Sequence, residues 1–240
     1  MAILEIRSVD SGYGEVQILW DASLALEQGQ LTSLVGGNGA GKTTLLRTVM
    51  GLVKPWKGSV WFAGHNVSLL PAHSKAEMGM TLVPEGRQLF IDMSVVENLE
   101  MGAATQRAKP NYQRNLRRVY DMFPRLYERR EQKAGTLSGG EQQMLAVGRG
   151  IMAEPVVLMI DELSLGLAPV LTLQLFETLG QLRTLGITLL LVEQNVQMAL
   201  AISNYSYVLT EGRIGLQGPS HELAKNEDVR RTYLGIAQGK

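Results

Sequence analysis

The sequence predicts an α/β protein built on a parallel β-sheet, on three observations. Short apolar runs alternate with helical stretches through the second half of the chain, the pattern of a parallel sheet with helices on both faces. The strands among them, such as VVLMI at 156–160 and LLLV at 189–192, are apolar without alternation, as strands buried on two faces are. A glycine loop, GGNGAGKT at 36–43, stands between an apolar strand and a helix.

The elements follow in order. The first thirty residues alternate, as in AILEIRSV and ASLALEQG, and read as short strands joined by a turn containing glycine. QLTSLV supplies a short apolar strand, the glycine loop follows, and a helix starts at about Gly41. Residues 58–67, GSVWFAGHNV, read as a hairpin, and MGMTLVP at 78–84 as a buried strand stopped by Pro84. Residues 94–133 lose the strand pattern and read as helices broken at Pro110 and Pro124. After Ser138 come a helix, the strand PVVLMID, the helix PVLTLQLFETLGQLRTLG, the strand ITLLLVEQ, the helix NVQMALAIS and the strand YSYVLTEG. The tail RRTYLGIAQGK reads as a terminal helix followed by fraying.

Composition narrows the class. At 240 residues and 45% apolar, the chain suits one domain, or one domain with an inserted lobe. Lys+Arg and Asp+Glu are 23 each, so the net charge is zero and a generic nucleic-acid binder is not expected. There is no Cys, so disulfide and Fe–S chemistry are excluded. His65, His73 and His221 share no ligand spacing. The N-terminus carries Glu5 and Arg7 where a signal peptide needs an apolar run. No apolar run approaches the roughly 18 residues of a membrane span, so work at a membrane would go through a partner. Residues 107–133 hold nine basic and three acidic residues. They read as a solvated helical face, or as a docking surface for an acidic or membrane partner.

GGNGAGKT matches the phosphate-binding pattern G-x-x-x-x-G-K-[ST] in its proper strand–helix frame. Glycines at 36, 37, 39 and 41, with Asn38 and Ala40 between them, let backbone N–H groups converge on phosphate at a helix N-terminus. Lys42 would reach the β- and γ-phosphates and the Thr43 hydroxyl would hold Mg²⁺, with Thr44 next in line. Hydrolysis further needs a carboxylate for the metal and a group that positions water. VVLMIDE supplies both where ligands bind in such sheets, at the carboxyl end of a strand. Asp161 would hold Mg²⁺ and Glu162 would orient or deprotonate water; a helix N-cap is the alternative for this pair.

TLSGGEQQM at 136–144 is a second glycine turn. Ser138 and Glu141 form an S-x-x-E capping box. The box leaves the two glycines unexplained, since they are unfavourable near a helix and leave the backbone bare. A bare helix N-terminus is an anion site, here free to serve a nucleotide held by another subunit.

LSGGEQQ resembles the signature motif of ATP-binding cassette (ABC) proteins, and it lies with the glycine loop, VVLMIDE and the intervening helices in that family's order. The resemblance covers nearly the whole chain. It implies a P-loop NTPase fold: a RecA-like core with an N-terminal antiparallel β-subdomain (about 1–88 and 155–240) and an inserted helical subdomain (about 89–154). It implies head-to-tail pairing with a second ABC ATPase subunit, each ATP lying between one glycine loop and the other chain's Ser138, Gly139 and Gly140. Tyr13 matches the aromatic that stacks on adenine, an ordinary turn tyrosine being the alternative. Ser164 to Leu167 would contact the opposite subunit.

TLVPEGRQLF, DELSLGLAP and LLLVEQNVQMAL resemble, more narrowly, the ATPase subunits of branched-chain amino acid importers, with the urea-type importers similar. That implies two transmembrane permease subunits contacting the helical segment, a substrate-binding protein beyond them, and a place on the cytoplasmic face of the membrane. The sequence departs from the general pattern at Glu85, where Gln is common, at Gln194, where His is common, and at Leu163, where Pro is common. The resemblance would set Glu85 near Mg²⁺ and Gln194 against the γ-phosphate, to which it donates a hydrogen bond without an imidazolium charge. A soluble ABC protein of DNA repair or the ribosome, and an ATP-gated scaffold with little hydrolysis, are the other readings. The first lacks the long coiled coil or second cassette usual in those types; Lys42, Asp161 and Glu162 stand against the second.

Overall fold

The computed structural model describes residues 2–233. The chain opens with two antiparallel strands, β1 (Ala2–Tyr13) and β2 (Val16–Glu27), turning at Gly14. Each runs twelve residues, longer than the short strands expected. Their alternation is interrupted by register shifts and by the left-handed residues Ser8 and Asp21, which mask the length in sequence. Next come β3 (Leu31–Val35), α1 (Lys42–Met50), and the hairpin β4 (Lys57–Phe62) and β5 (His65–Asn66). α2 (Ala72–Glu77) and β6 (Met80–Val83) follow, and β6 stops at Pro84 as expected.

The middle of the chain is helical: α3 (Val95–Gly102), a 3-10 turn at Lys109–Asn111, α4 (Tyr112–Met122), α5 (Pro124–Glu128) and α6 (Gly139–Met152). Pro124 opens α5 and Pro110 lies in the 3-10 turn, so both prolines interrupt helix as expected. The remainder is β7 (Val157–Asp161), α7 (Pro169–Thr184), β8 (Thr188–Glu193), α8 (Val196–Ile202), β9 (Tyr205–Thr210), β10 (Arg213–Pro219), α9 (Ser220–Leu223) and α10 (Glu227–Tyr233). The expected fraying beyond α10 lies outside the described residues. β10 was not read from sequence. It returns antiparallel on β9 through the left-handed pair Glu211 and Gly212, a tight hairpin turn.

Two sheets result. One is antiparallel with order β2-β1-β4-β5; the other has order β10-β9-β3-β8-β7-β6 and is parallel apart from β10. Strand residues of the second sheet divide by parity. Leu158, Ile160, Leu189 and Leu191 join a core with residues of α3 to α8. Val157, Met159, Leu190 and Val192 join a core with α1 and the antiparallel sheet. Helices thus lie on both faces as expected, and on this second face α1 shares the cover with Leu4, Ile6, Leu24 and Val60 of strands β1, β2 and β4. Those strands alternate because only one of their faces is buried. On the other face the apolar core runs without a break from Val95 and Leu99 through Leu145 to the sheet.

Lys75 of α2 is fully buried, and its Nζ donates to the Val49 carbonyl at 2.7 Å, at the C-terminal end of α1. A cation suits the carbonyl end of a helix. Burial nevertheless pushes the ammonium down to about 8 from the usual 10.5. Between those two values the unfolded chain holds this proton and the native chain does not, so Lys75 makes stability rise with pH across that window. Lys75→Met removes this rise. Chemical denaturation is expected to show the difference between the two proteins moving in favour of wild type from pH 8 to 10.5, by roughly 1–3 kcal/mol.

Candidate nucleotide site

Neighbouring parallel strands end together. Val35 of β3 pairs with Glu193 of β8, Asp161 of β7 with Val192, and Val83 of β6 with Ile160. Each chain segment therefore leaves the sheet at one edge: the glycine loop after β3, Glu85 after β6, Glu162 after β7 and Gln194 after β8. That edge carries a cavity of about 440 Å³ lined by Asn38, Gly39, Ala40, Gly41, Lys42, Thr43, Thr44, Glu85, Glu162 and Gln194, with Ile18 and Leu165. The loop is tight where the backbone crowds it. A Cβ on Gly36 would stand 2.3 Å from the Leu209 carbonyl oxygen, whereas one on Gly37 would meet nothing within 4 Å.

Lys42 is 6% exposed, and its Nζ is fully engaged. It donates to the carbonyls of Gly36 and Gly37 at 3.0 and 3.3 Å, and pairs with Glu162 Oε1 at 3.3 Å. Thr43 Oγ1 donates to Asp161 Oδ2 at 2.8 Å. Asp161 Oδ1 is buried and without a hydrogen-bond partner. Burial pushes the Asp161 carboxyl up to about 6; Glu162 and Glu85 push the same way, while Thr43 and Lys42 pull it back. Glu162 sits at φ 54°, a left-handed conformation costly for a side chain of its size, and its N–H is held by the Val192 carbonyl at 2.9 Å.

The other expected site residues stand apart from this cavity. Tyr13 is 44% exposed, with its hydroxyl accepting from Arg47 Nη1 of α1 at 3.2 Å. Ser138 caps α6 as expected: its N–H and hydroxyl donate to Glu141 Oε2 at 2.9 and 2.7 Å, and Arg129 pairs with Glu141 at 2.8 Å. Ser138 and Gly139 are exposed. Gly140 is buried, and a Cβ there would come within 2.3 Å of Leu171 Cδ1 of α7. The obstructing atom is the movable end of a side chain, so this packing stands beside the bare-backbone account of the two glycines and does not replace it.

Two connections were not read from sequence. Arg87, two residues past Glu85, donates to Gln143 at 3.1 Å and Gln142 at 3.0 Å of α6, and Arg149 of α6 donates to the Arg87 and Gln88 carbonyls. Glu193 accepts from both the N–H and the hydroxyl of Ser164 at 2.9 Å. The available signal for Glu193 was a lone carboxylate ending the apolar run LLLVE.

Fold and site together define a P-loop nucleotide-binding protein. Residues 19–164 match the ABC transporter family model. A branched-chain amino acid transport ATP-binding protein of Pseudomonas aeruginosa, BraG, is 44% identical over 97% of this chain and all of its own length. LivF of Archaeoglobus fulgidus, named as a probable branched-chain amino acid transport ATP-binding protein, is 37% identical over 98% of this chain and 99% of its own length. A nucleotide-free ATP-binding cassette from an ABC transporter superposes with a TM-score of 0.85 at 26% identity, over 100% of both chains. The chain belongs to the ABC transporter family and is an ATPase that binds nucleotide.

Two outcomes are expected from the site's geometry. Gly36→Ala should lower nucleotide-free stability by roughly 1–3 kcal/mol because the obstructing atom is backbone, while Gly37→Ala stays within about 0.5 kcal/mol, both read by denaturation. For Asp161, the native chain holds the proton between 3.8 and about 6 and the unfolded chain does not, so stability falls as pH rises through that window. Without nucleotide or divalent cations, Asp161→Asn is expected to be more stable than wild type above pH 6, by roughly 1–3 kcal/mol, with the gain vanishing near pH 4.

Proposed function

We propose that this chain is the ATP-hydrolysing subunit of an importer for branched-chain amino acids. The observation that carries this reading is the 44% identity, over 97% of the chain, to a protein named for that transport. The cavity supports the hydrolytic part of it. Lys42 binds the β- and γ-phosphates, and the incoming phosphate competes for the ammonium that now pairs with Glu162. Glu162, so released, orients or deprotonates the attacking water, and Gln194 donates a hydrogen bond to the γ-phosphate. The backbone N–H groups from Gly36 to Thr44 cradle the phosphates, and Tyr13, steadied by Arg47, stacks on the base.

The residues fit Mg²⁺. Thr43, Asp161 and Glu85 offer oxygen ligands only, and the unpartnered Asp161 Oδ1 lacks the contact a hard cation supplies. Among the described residues no group of three or more His, Cys, Asp or Glu could hold a metal, which suits an ion bound largely through phosphate and water. When bound, Mg²⁺ would neutralise the charge that develops on the transferring phosphate.

The partners are read from the residues that stand apart. Ser138, Gly139 and Gly140 serve the ATP held by a second cassette subunit. Residues 89–154 form the helical subdomain that meets two permease subunits at the cytoplasmic face of the membrane. A groove of about 730 Å³ between α1, α2, β6, α3 and α6 supports this docking. Leu52, Phe90 and Met101 are exposed along it, and it shares Thr43 and Glu85 with the nucleotide cavity. A helix seated there would touch the loop that carries Glu85. No described helix is long and apolar enough to cross a membrane, so the permeation path belongs to those other chains.

Glu162→Gln is expected to lower ATP turnover roughly 10²–10⁴-fold while nucleotide still binds. In Mg-ATP, light scattering of that variant should report twice the monomer mass, lost on Ser138→Trp. In cells lacking the wild-type chain, leucine, isoleucine and valine uptake should return with the wild-type protein and not with Glu162→Gln. Undiminished turnover in Glu162→Gln would overturn the hydrolytic assignment; uptake independent of the chain would overturn the solute.

A further inference from the structure

Glu193 is fully buried at the end of β8 and does not line the nucleotide cavity. Both of its oxygens grip one residue of another segment: Oε1 accepts the Ser164 N–H and Oε2 the Ser164 hydroxyl, each at 2.9 Å. The grip lies between residues that do line the cavity. Gln194 follows Glu193 directly, Ser164 is two residues past Glu162, and Leu165 follows Ser164. Beyond Leu165 the same segment exposes Val170 and Leu173.

A buried carboxylate is costly unless it is well bonded, and an apolar side chain of similar volume would commonly be at least as stable. The carboxylate supplies a two-oxygen hold on a loop that an apolar residue could not grip. Glu162 is in a left-handed conformation, so its placement depends on how residues 163 and 164 are held. Gln194 and Asn195 are exposed and lie beyond the last strand residue. Without the grip, the segments keep the strand pairing, the Glu162 N–H bond to Val192 and the shared core that holds Leu163 and Val196, none of which reaches Ser164.

We infer that Glu193 is a positioning residue for ATP hydrolysis: its hold on Ser164 fixes Glu162 and Gln194 relative to one another and ties both to the loop at 164–167. It touches no nucleotide itself. The inference rests on the reading that Glu162 and Gln194 act on the γ-phosphate and the water. It predicts a defect in turnover at unchanged binding, and it predicts which replacement rescues. In Glu193→Gln the amide oxygen can accept the Ser164 N–H, and the amide N–H can donate to a Ser164 hydroxyl turned to accept. In Glu193→Leu the volume stays and both bonds go.

Steady-state ATPase assays on the full chain, with thermal melting to verify folding, test this. Glu193→Leu is expected to lower kcat roughly tenfold or more with KM for ATP within about threefold of wild type, and Glu193→Gln to stay within about threefold in both. Glu193→Leu with Ser164→Ala should be no slower than Glu193→Leu alone, as for residues acting through one contact. A folded Glu193→Leu with wild-type kcat, a loss seen in KM alone, a Glu193→Gln as slow as Glu193→Leu, or additive losses in the double variant each overturn it. Should Glu193→Leu fail to fold, Ser164→Ala decides: a severalfold lower kcat at unchanged KM supports the grip, and an unchanged kcat overturns it. Glu162→Gln, run alongside, separates the two readings. If it keeps turnover, the assignment of Glu162 fails; if it loses turnover while the Glu193 variants do not, this inference alone fails.

Discussion

Three carboxylates crowd one ammonium at the end of the parallel sheet, with a fourth buried behind them, and much of the chain is arranged around that imbalance. Asp161, Glu162 and Glu85 crowd the edge where Lys42 emerges, Glu193 lies buried behind it on Ser164, and Lys42 is already committed to two carbonyls and to Glu162. Burial and like charge raise Asp161, and burial raises Glu193. Nearby hydrogen bonds from Thr43 and Ser164 pull against that cost without removing it. Such an edge carries more negative than positive charge. A Mg-nucleotide, as proposed here, would bring positive charge to the carboxylates and oxygens to the lysine, so binding energy is available before any partner arrives.

The tolerance for this strain comes from the packing beneath it. β3, β7 and β8 are buried along their whole length and are filled from both faces. The antiparallel sheet and α1 cover one face, and α3 to α8 share the core on the other. Arg87 and Arg149 then bind the loop after β6 to α6, the helix that Ser138 caps. A displacement of Glu85 is thereby a displacement at the root of the second glycine turn. The nucleotide edge, the proposed permease groove and the signature helix are connected through one short loop.

The sequence made legible what is local. A strand, a glycine loop and a helix with a fixed spacing declare themselves, and so does an S-x-x-E box, because each is satisfied by neighbours in the chain. The parallel strands were legible because burial on two faces leaves only apolar residues. What failed was long-range. Nothing in AILEIRSV says that it will lie across α1, and the interruptions at Ser8 and Asp21 hid the length of β1 and β2. The Arg87 and Glu193 contacts escaped for the same reason: each joins segments whose proximity only the fold creates.

The central place of β3 bears on how the protein is made. The strand that delivers Gly36 is flanked by β8 and β9, whose pairing residues lie more than 150 positions later: Leu31 with Leu189, Thr32 with Tyr205. During synthesis from the N-terminus, the glycine loop emerges early, while the strands that hold it open come almost last. A ribosome-bound chain that ends before β8 would therefore carry the complete phosphate-binding motif and no site. Contacts so distant in sequence also slow folding and leave strand edges exposed while they wait. ATP can select only finished chains, which makes the nucleotide a ligand of the completed fold and not a template for it.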